Sequence, residues 1–136
     1  TASQRALAER LAAATKVECE YSVLGTGTWT AGVPAFSSKP ATLKVVFFNV
    51  DTQESSAEIE STATTSFYIV VRYVGNYLHL MQIKSEGPIY TTTIYARESK
   101  PGRLFSVHTR HEYVEFQLPG VTSRPELYLG DCAISQ

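Results

Sequence analysis

Residues 67–84 read FYIVVRYVGNYLHLMQIK, two runs of β-branched and aromatic residues separated by Gly75-Asn76. A two-residue loop that needs positive φ is typical of a tight β-hairpin and fixes the register of its strands. The predicted pairs on one face are Val74 with Tyr77, Arg72 with His79, Val70 with Met81 and Tyr68 with Ile83. Both faces are largely apolar, so we expect both to be covered.

The chain after residue 17 continues this pattern of short β-rich runs separated by Gly, Pro, Ser and Asn. We predict strands near residues 17–29, 41–50, 55–62, 66–74, 77–84, 89–96, 103–109, 111–118 and 126–132. The breaks include residues 32–40, 85–88, 99–102 and 119–125. Eight or nine successive strands without an intervening helix favour a mainly β, antiparallel up-and-down meander closed into a barrel.

Residues 2–16 carry the helical pattern of the chain. Leu7, Leu11 and Ala14 form a narrow apolar stripe opposite charged residues such as Arg5 and Glu9. Such a small amphipathic helix is predicted to cover a barrel end or a sheet face. The predicted organisation is one domain over 1–136, with a helix over 1–16, a barrel over 17–132 and a tail over 133–136.

Composition limits the classes of function. The 136 residues are 43% hydrophobic and 18% charged, with a formal net charge of −1. This composition predicts a globular domain, and the near-neutral charge argues against a nucleic acid partner or an anionic membrane surface. No run approaches the roughly 20 apolar residues of a membrane span. The chain begins with Thr1, which is expected of a processed or truncated product, such as one that has lost a signal peptide.

The two cysteines, Cys19 and Cys132, bracket most of the chain. An even count at the margins is typical of one end-to-end disulfide, which favours a periplasmic or secreted location. The alternative is two unrelated thiols in a cytosolic protein.

A candidate ligand site follows if residues 85–88 form a four-residue hairpin loop. Ile83 then pairs with Tyr90, and Met81 with Thr92, which continues one face of the 67–84 hairpin into the next strand. That face gathers Tyr68, Arg72, Tyr77, His79, Met81 and Tyr90 among aliphatic residues. A mostly apolar wall with a few polar groups is typical of a small-molecule cavity. The alternative is a filled barrel core in which the polar groups are internally bonded.

Motifs for other chemistry are weak. His108 and His111 suggest a metal site, but residues three apart on a strand point to opposite faces, so we predict a solvated or rim position and no metal. There is no Gly-x-Ser-x-Gly elbow, phosphate loop or dinucleotide motif. Enzymatic activity is not indicated, although acid–base pairs inside barrels leave no motif.

The N-terminal helix, Gly27-Thr28-Trp29, the string of strands and the terminal cysteine pair together resemble the calycin barrels, most familiarly the lipocalins. The resemblance implies a lipophilic ligand inside the barrel, with Trp29 closing one barrel end. The chain departs from the family because it lacks a Thr-Asp-Tyr-like turn motif. The basic residue that lipocalins pack over this tryptophan would be Arg124 or Arg103.

Two further resemblances imply other roles. Small periplasmic barrels that inhibit lysozyme also place one cysteine in the first strand and one near the C-terminus, and Ser85-x-Gly87-x-x-Tyr90 is loosely similar to their inhibitory loop. Haem-binding nitrobindin-like barrels share a first strand with Gly and Trp. Haem would need an inward histidine, for which His79 is the candidate.

The first functional hypothesis is therefore a non-enzymatic carrier or sensor for a small, mostly apolar or aromatic ligand, anchored by Arg72 and His79. The second is a protein-interaction module, such as an enzyme inhibitor, that acts through residues 85–88 and 99–102. A haem-binding or purely structural barrel comes third. The two-sided apolar hairpin separately predicts a homodimer.

Overall fold

The structure is a computed structural model that describes residues 2–60, 67–114 and 124–136. Its elements are α1 (Ala2–Ala12), β1 (Lys16–Thr30), β2 (Val33–Asp51), β3 (Ser56–Ile59), β4 (Phe67–Val74), β5 (Tyr77–Lys84), β6 (Ile89–Lys100), β7 (Arg103–His111) and β8 (Glu126–Ser135). The strands form one antiparallel sheet in the order β3-β2-β1-β8-β7-β6-β5-β4. Because β1 pairs with β8, the meander curls into a nearly closed barrel, which confirms the predicted fold class.

The terminal boundaries differ from the prediction. The helix ends at Ala12 rather than at residue 16. Thr15 instead bridges two strands, since its N–H donates to the carbonyl of Ser135 and its carbonyl accepts from the N–H of Val50. The predicted tail over 133–136 is mostly strand, because β8 pairs with β1 as far as Ser135.

The helix α1 covers one end of the barrel, here called the lower end. Leu7, Leu11 and Ala14 are buried in the core, as the predicted stripe requires. The hydroxyl of Tyr73 donates to the carbonyl of Ala8 at 3.1 Å, which ties the helix to β4. The opposite, upper end lies at the β5–β6 loop, where the chain turns over residues 85–88.

The predicted break at residues 32–40 is wrong. Ala31 and Gly32, with φ of 51° and 79°, form a two-residue turn, and β2 begins directly after it. The prolines Pro34 and Pro40 suggested a loop, but they lie where β2 is an edge strand, since the described part of β3 pairs only with residues 47–51. A proline on the free side of an edge strand removes no ladder hydrogen bond.

The predicted strand near residues 111–118 is not separate where the structure describes it. Strand β7 continues to His111, and residues 112–114 are not strand. The remainder of that predicted strand, and most of the predicted break after it, lie outside the described residues.

The register is right for the first hairpin and wrong for the second. All four predicted β4–β5 pairs are present around Gly75 and Asn76, which both have positive φ. In the β5–β6 hairpin, however, Ile83 pairs with Ile89. The N–H of Lys84 donates to the carbonyl of Pro88, so the loop holds three residues rather than four. A slip of one residue moves every following side chain to the other face of the sheet.

The barrel has a seam between β3 and β4, the two strands at the ends of the sheet order. Ser55 bridges this seam by hydrogen bonds toward the lower end, an arrangement called the clasp below. Its Oγ accepts from the backbone N–H of Val71 at 3.0 Å and from Nη1 of Arg72 at 2.5 Å. Ser55 has a φ of 57°, a conformation that places its hydroxyl at the seam at a small backbone cost.

Replacing Ser55 tests this clasp. We expect Ser55→Ala to lower the free energy of unfolding by about 1–2 kcal/mol, because the N–H of buried Val71 loses its partner. Ser55→Gly should cost less, since glycine relieves the positive φ. Urea unfolding measures both, and Ser56→Ala is the control at an exposed neighbour. A Ser55→Ala variant as stable as the control would show that the clasp is not formed.

Candidate ligand-binding site

Most of the predicted ligand-binding residues do not face the barrel interior. Tyr68 is 70% exposed, Arg72 and Tyr77 are also exposed, and His79 and Met81 are half-buried on the outer face. The interior is lined instead by their neighbours, such as Val71, Leu78 and Leu80, which are fully buried. Of the six residues predicted to gather on one interior face, the structure places Tyr90 alone inside. Both faces of the β4–β5 hairpin are largely apolar, so the sequence did not show which of them faces inward, and the β5–β6 slip joined Tyr90 to the outer one.

The two predicted polar anchors have other partners. Arg72 donates to Ser55 across the seam, as described above, and His79 Nδ1 lies 2.9 Å from Oγ1 of Thr93 on the outer face. His79 therefore does not supply the inward histidine that the haem hypothesis assigns to it.

Trp29 does not close a barrel end. It is 54% exposed, near the tip of the β1–β2 hairpin. Its ring contacts Tyr113 with a centroid distance of 6.0 Å, and the guanidinium of Arg124 packs on Tyr113 rather than on the tryptophan. Arg103 is engaged at the other end of the barrel in an ion pair with Asp131.

The predicted disulfide is confirmed. Cys19 and Cys132 are directly opposite each other in the β1–β8 pair and are bonded. Both side chains are buried, so the bond lies within the core of the barrel.

The interior changes from apolar to polar toward the upper end, where His108 is central. It is 1% exposed, so the predicted solvated or rim position is wrong. Nε of Arg110 donates to its Nε2 at 3.1 Å. Because a guanidinium can only donate, Nε2 must accept, and the proton sits on Nδ1, which lies 2.7 Å from Oγ1 of Thr92. Burial, assisted by the charge of Arg110, lowers the pKa of His108 to about 3.

A buried tyrosine extends this polar network. The hydroxyl of Tyr21 lies 2.8 Å from Oγ of Ser106, which itself donates to the carbonyl of Thr93. The Tyr21 hydroxyl is therefore the donor to Ser106. Burial raises the pKa of Tyr21 far above its usual value. Both groups are neutral over the whole physiological range, which lets them occupy the core without a countercharge.

An ion pair closes one side of the upper end. Glu112 is buried and accepts from Tyr90 OH at 2.9 Å and from Lys84 Nζ at 3.3 Å. Burial alone would lower the pKa of Lys84, but the neighbouring Tyr90 and Glu112 outweigh it, and the pKa is raised. Arg110 stacks on the Tyr90 ring at 4.7 Å from its centroid, so two cations flank this tyrosine.

A cavity of about 410 Å³ lies among these groups, beside the upper part of the seam. Its described lining is apolar on the side of β2, β3 and β4 and polar on the side of β5, β6 and β7. The residues are Val45, Ile59 and Phe67 on the first side, Gln82, Tyr90, His108 and Arg110 on the second, with Lys44 and Glu60 at the rim. The volume lies within the range of small-molecule sites, roughly 300–1,000 Å³.

The hydrogen bonding of Gln82 is incomplete among the described residues. Its side chain is 2% exposed, yet its amide oxygen has no hydrogen-bond partner among the residues that the structure describes. A buried acceptor without a partner costs about 1–3 kcal/mol. Gln82 lines the cavity, so a molecule bound there whose N–H or O–H group reached this oxygen would satisfy it.

The other predicted sites are separated in space. His108 points inward and His111 is exposed, as predicted for residues three apart. Among the described residues, no group of three or more His, Cys, Asp and Glu side chains could hold a metal ion. The loop at residues 85–88 precedes β6 and the loop at residues 99–102 follows it. The two loops therefore lie at opposite ends of the barrel and cannot form one contact surface. Tyr90, the last residue of the proposed inhibitory motif, lies inside the barrel.

The fold and this site together define a disulfide-linked, up-and-down β-barrel with a helix over one end and a polar-sided cavity at the other. Comparison of the chain with protein-family models, with curated proteins and with solved structures gives no match. In the described part of the chain, no helix has the length and apolar character needed to cross a bilayer.

Proposed function

We propose that this protein is a non-enzymatic carrier or sensor that holds a small, mostly apolar ligand in the cavity at the upper end of the barrel. The observation that supports this most is Gln82, a residue of the cavity wall whose buried amide oxygen has no hydrogen-bond partner among the described residues. In a filled barrel core such a group only lowers the stability of the fold, whereas a ligand with a matching donor would offset that cost. The site differs from the predicted one, but the class of function is the same.

The lining describes the ligand. An apolar or aromatic body suits Val45, Ile59 and Phe67, and an N–H or O–H donor suits the oxygen of Gln82. The neutral His108 has both ring nitrogens engaged, so it shapes the polar wall rather than transferring a proton. This is consistent with binding without catalysis.

A calycin-like role in the periplasm or outside the cell is part of the proposal. The Cys19–Cys132 bond supports it, because structural disulfides persist mainly in oxidising compartments. The barrel architecture suits it as well, since up-and-down barrels commonly enclose a small ligand.

The direct experiment is to identify what the protein carries. Protein purified without detergent is extracted with organic solvent, and the extract is analysed by mass spectrometry. We expect one compound, with an apolar body and at least one N–H or O–H group, in near-stoichiometric amount. A clean extract, together with no shift of the Gln82 side-chain amide signal when a library of small donors is added, would rule out the proposal.

Gln82→Leu separates binding from stability. Leucine has a similar size and no polar atom, so we expect the unliganded variant to be more stable than the wild type by about 1–2 kcal/mol. Ligand affinity should fall about tenfold or more, because the donor of the ligand loses its partner. Chemical denaturation and titration calorimetry measure the two effects. Gln53→Leu, in an exposed turn, is the matched control and should change neither.

A further inference from the structure

The outer surface of five neighbouring strands, β5 to β8 and β1, is uncharged toward the upper end. We call this surface the outer face. Its outward residues are Tyr77, His79, Met81 and Ile83 of β5, Ile89, Thr91, Thr93 and Tyr95 of β6, Phe105, Val107, Thr109 and His111 of β7, Leu127 and Leu129 of β8, and Val23, Gly25, Gly27 and Trp29 of β1. None is Asp, Glu, Lys or Arg. The outward side of an antiparallel sheet in water is normally polar, so this face is expected to be covered.

The polar groups on the outer face bond to each other. His79 bonds to Thr93, and the hydroxyls of Thr91 and Thr109 are bonded across β6 and β7. Burying the face would therefore leave few polar groups without hydrogen-bond partners, which keeps the free-energy cost of removing water low.

A groove of about 1200 Å³ crosses the outer face. The apolar part of its lining comes from all five strands: Tyr77, Tyr95, Phe105, Val107, Leu129 and Val23. Its lower end is lined by polar and charged residues, among them Gln4, Asn76, Arg97 and Asp131, and Asp131 is paired with Arg103. Several of these side chains are 40–50% exposed, among them Leu129 at 48% and Phe105 at 44%. Above its lower end the groove thus presents a concave, mostly apolar surface with room for side chains of a partner.

A matching convex feature lies on the same side of the molecule. Among the described residues, β1 pairs with β8 as far as Thr26, and the N–H of Gly27 donates to the carbonyl of Pro125. Beyond this point, residues 28–36 form a two-stranded ribbon. Trp29 and Phe36 project from the side of the ribbon that continues the outer face, and they are 54% and 67% exposed. The Phe36 ring lies over Gly25, where the absence of a side chain leaves room for it. Val33, 63% exposed, lies on the other side of the ribbon.

We propose that two copies of this chain associate through their outer faces, with the ribbon of each copy seated in the groove of the other. In a two-fold interface the same patch serves both copies, so one protruding and one concave feature complement each other twice. A two-fold axis that crosses β1 midway between Val23 and Trp29 superposes these positions. Trp29 of one copy then meets Val23 and Leu129 of the second copy.

Charge and area favour a second copy as the occupant. Apart from Arg97 and Asp131 at the lower end of the groove, the face holds no countercharge, so a charged partner would lose the hydration of its charges without compensation. The ribbon of a second copy, residues 28–36, carries no charged side chain. The net charge of −1 also produces little repulsion between copies. The face is five strands wide, with about 4.8 Å between neighbouring strands, and up to four outward residues long, with about 6.8 Å between them. Its area is therefore roughly 600 Å² without the ribbons. Stable interfaces bury roughly 800 Å² per partner.

The sequence predicted a homodimer from the hairpin over residues 67–84. The present proposal keeps the homodimer but places most of the contact elsewhere, on β6, β7, β8 and β1. It does not depend on the proposed ligand, because the outer face and the interior cavity lie on opposite sides of the sheet.

Sedimentation equilibrium at about 50 µM tests the association. We expect the wild type to have twice the 15.0 kDa mass of the chain. Trp29→Lys and Leu129→Lys should each raise the dimer dissociation constant at least tenfold, and Val33→Lys, an equally exposed valine on the far side of the ribbon, should leave it unchanged. A monomeric wild type, or equal loss with Val33→Lys, would overturn the proposal. Trp29→Ser and Leu129→Ser replace any lysine variant that does not fold.

A charge pair tests the ribbon-in-groove geometry itself. Trp29→Lys and Leu129→Glu are each expected to dissociate the dimer, but the double variant places the lysine of each copy beside the glutamate of the other. It should therefore bind at least tenfold more tightly than either single variant. A double variant as weak as the two singles would show that these residues do not meet.

Discussion

The double variant Cys19→Ala/Cys132→Ala is expected to lose about 5 kcal/mol of its free energy of unfolding. The bond closes a loop with a sequence separation of 113 residues. Chain-entropy reasoning assigns about 5 kcal/mol to a loop of that length, because the cross-link removes many conformations from the unfolded chain. Single domains are stable by only about 5–15 kcal/mol, so the loss is a large share of the total.

Alanine is the appropriate replacement because both sulfurs are buried and serine would add unpaired hydroxyls. We expect a fall in Tm of about 15 °C or more. Denaturant unfolding of the oxidised wild type, the reduced wild type and the double variant measures the effect, and the last two should agree closely. A loss below about 2 kcal/mol would mean that the β1–β8 pairing does not depend on the bond.

The second large effect is a loss of stability in mild acid that arises from His108. Its pKa of about 3 in the folded protein lies below the value of 6.5 for an exposed histidine. Between these two values the unfolded chain binds a proton that the folded protein excludes. Stability is therefore complete above about pH 6.5 and decreases as the pH falls toward 3, by up to about 1.4 kcal/mol per pH unit.

Urea unfolding between pH 4.5 and 7 measures this slope. This range stays above the region in which Asp131 titrates. Burial alone would raise the pKa of Asp131, but its hydrogen bonds to Arg103 and Ser99 outweigh burial, and the pKa is lowered. His108→Gln keeps polar atoms for Thr92 and Arg110 but cannot be protonated, so its stability should be nearly constant over this range. An unchanged slope in His108→Gln would assign the acid sensitivity to other groups.

Loop length decided which part of the interior the sequence could predict. Gly75-Asn76 specifies a two-residue turn, because both positions take positive φ, and the β4–β5 register followed correctly. Residues 85–88 do not specify their loop length, since Pro88 serves as well in a strand as in a turn. The resulting slip of one residue joined Tyr90 to the face of Tyr68, Arg72 and Met81, although Tyr90 lies inside the barrel and the other three lie on its outside.

A different starting point contained the missing information. Val17, Cys19 and Tyr21 alternate with Glu18 and Glu20, which identifies the inward face of β1 directly from the sequence.

Following the disulfide from that face into β8, and then the β7–β8 pairs, leads to Tyr128 and His108. The sequence could thus indicate the inward face of β8, but the β7–β8 register that places His108 inside is known from the structure. It could not indicate the unpaired state of Gln82, because hydrogen-bond partners depend on side-chain positions across several strands.

Native mass spectrometry of the wild type and Gln82→Leu, purified in parallel, tests the central claim most directly. The account predicts one small molecule bound per chain in the wild type, displaced by denaturation, and binding of that molecule weakened about tenfold or more in a Gln82→Leu protein of greater stability. An empty wild type that gains no mass with any donor-bearing apolar compound, or a Gln82→Leu variant that binds the same ligand as tightly as the wild type, would contradict it.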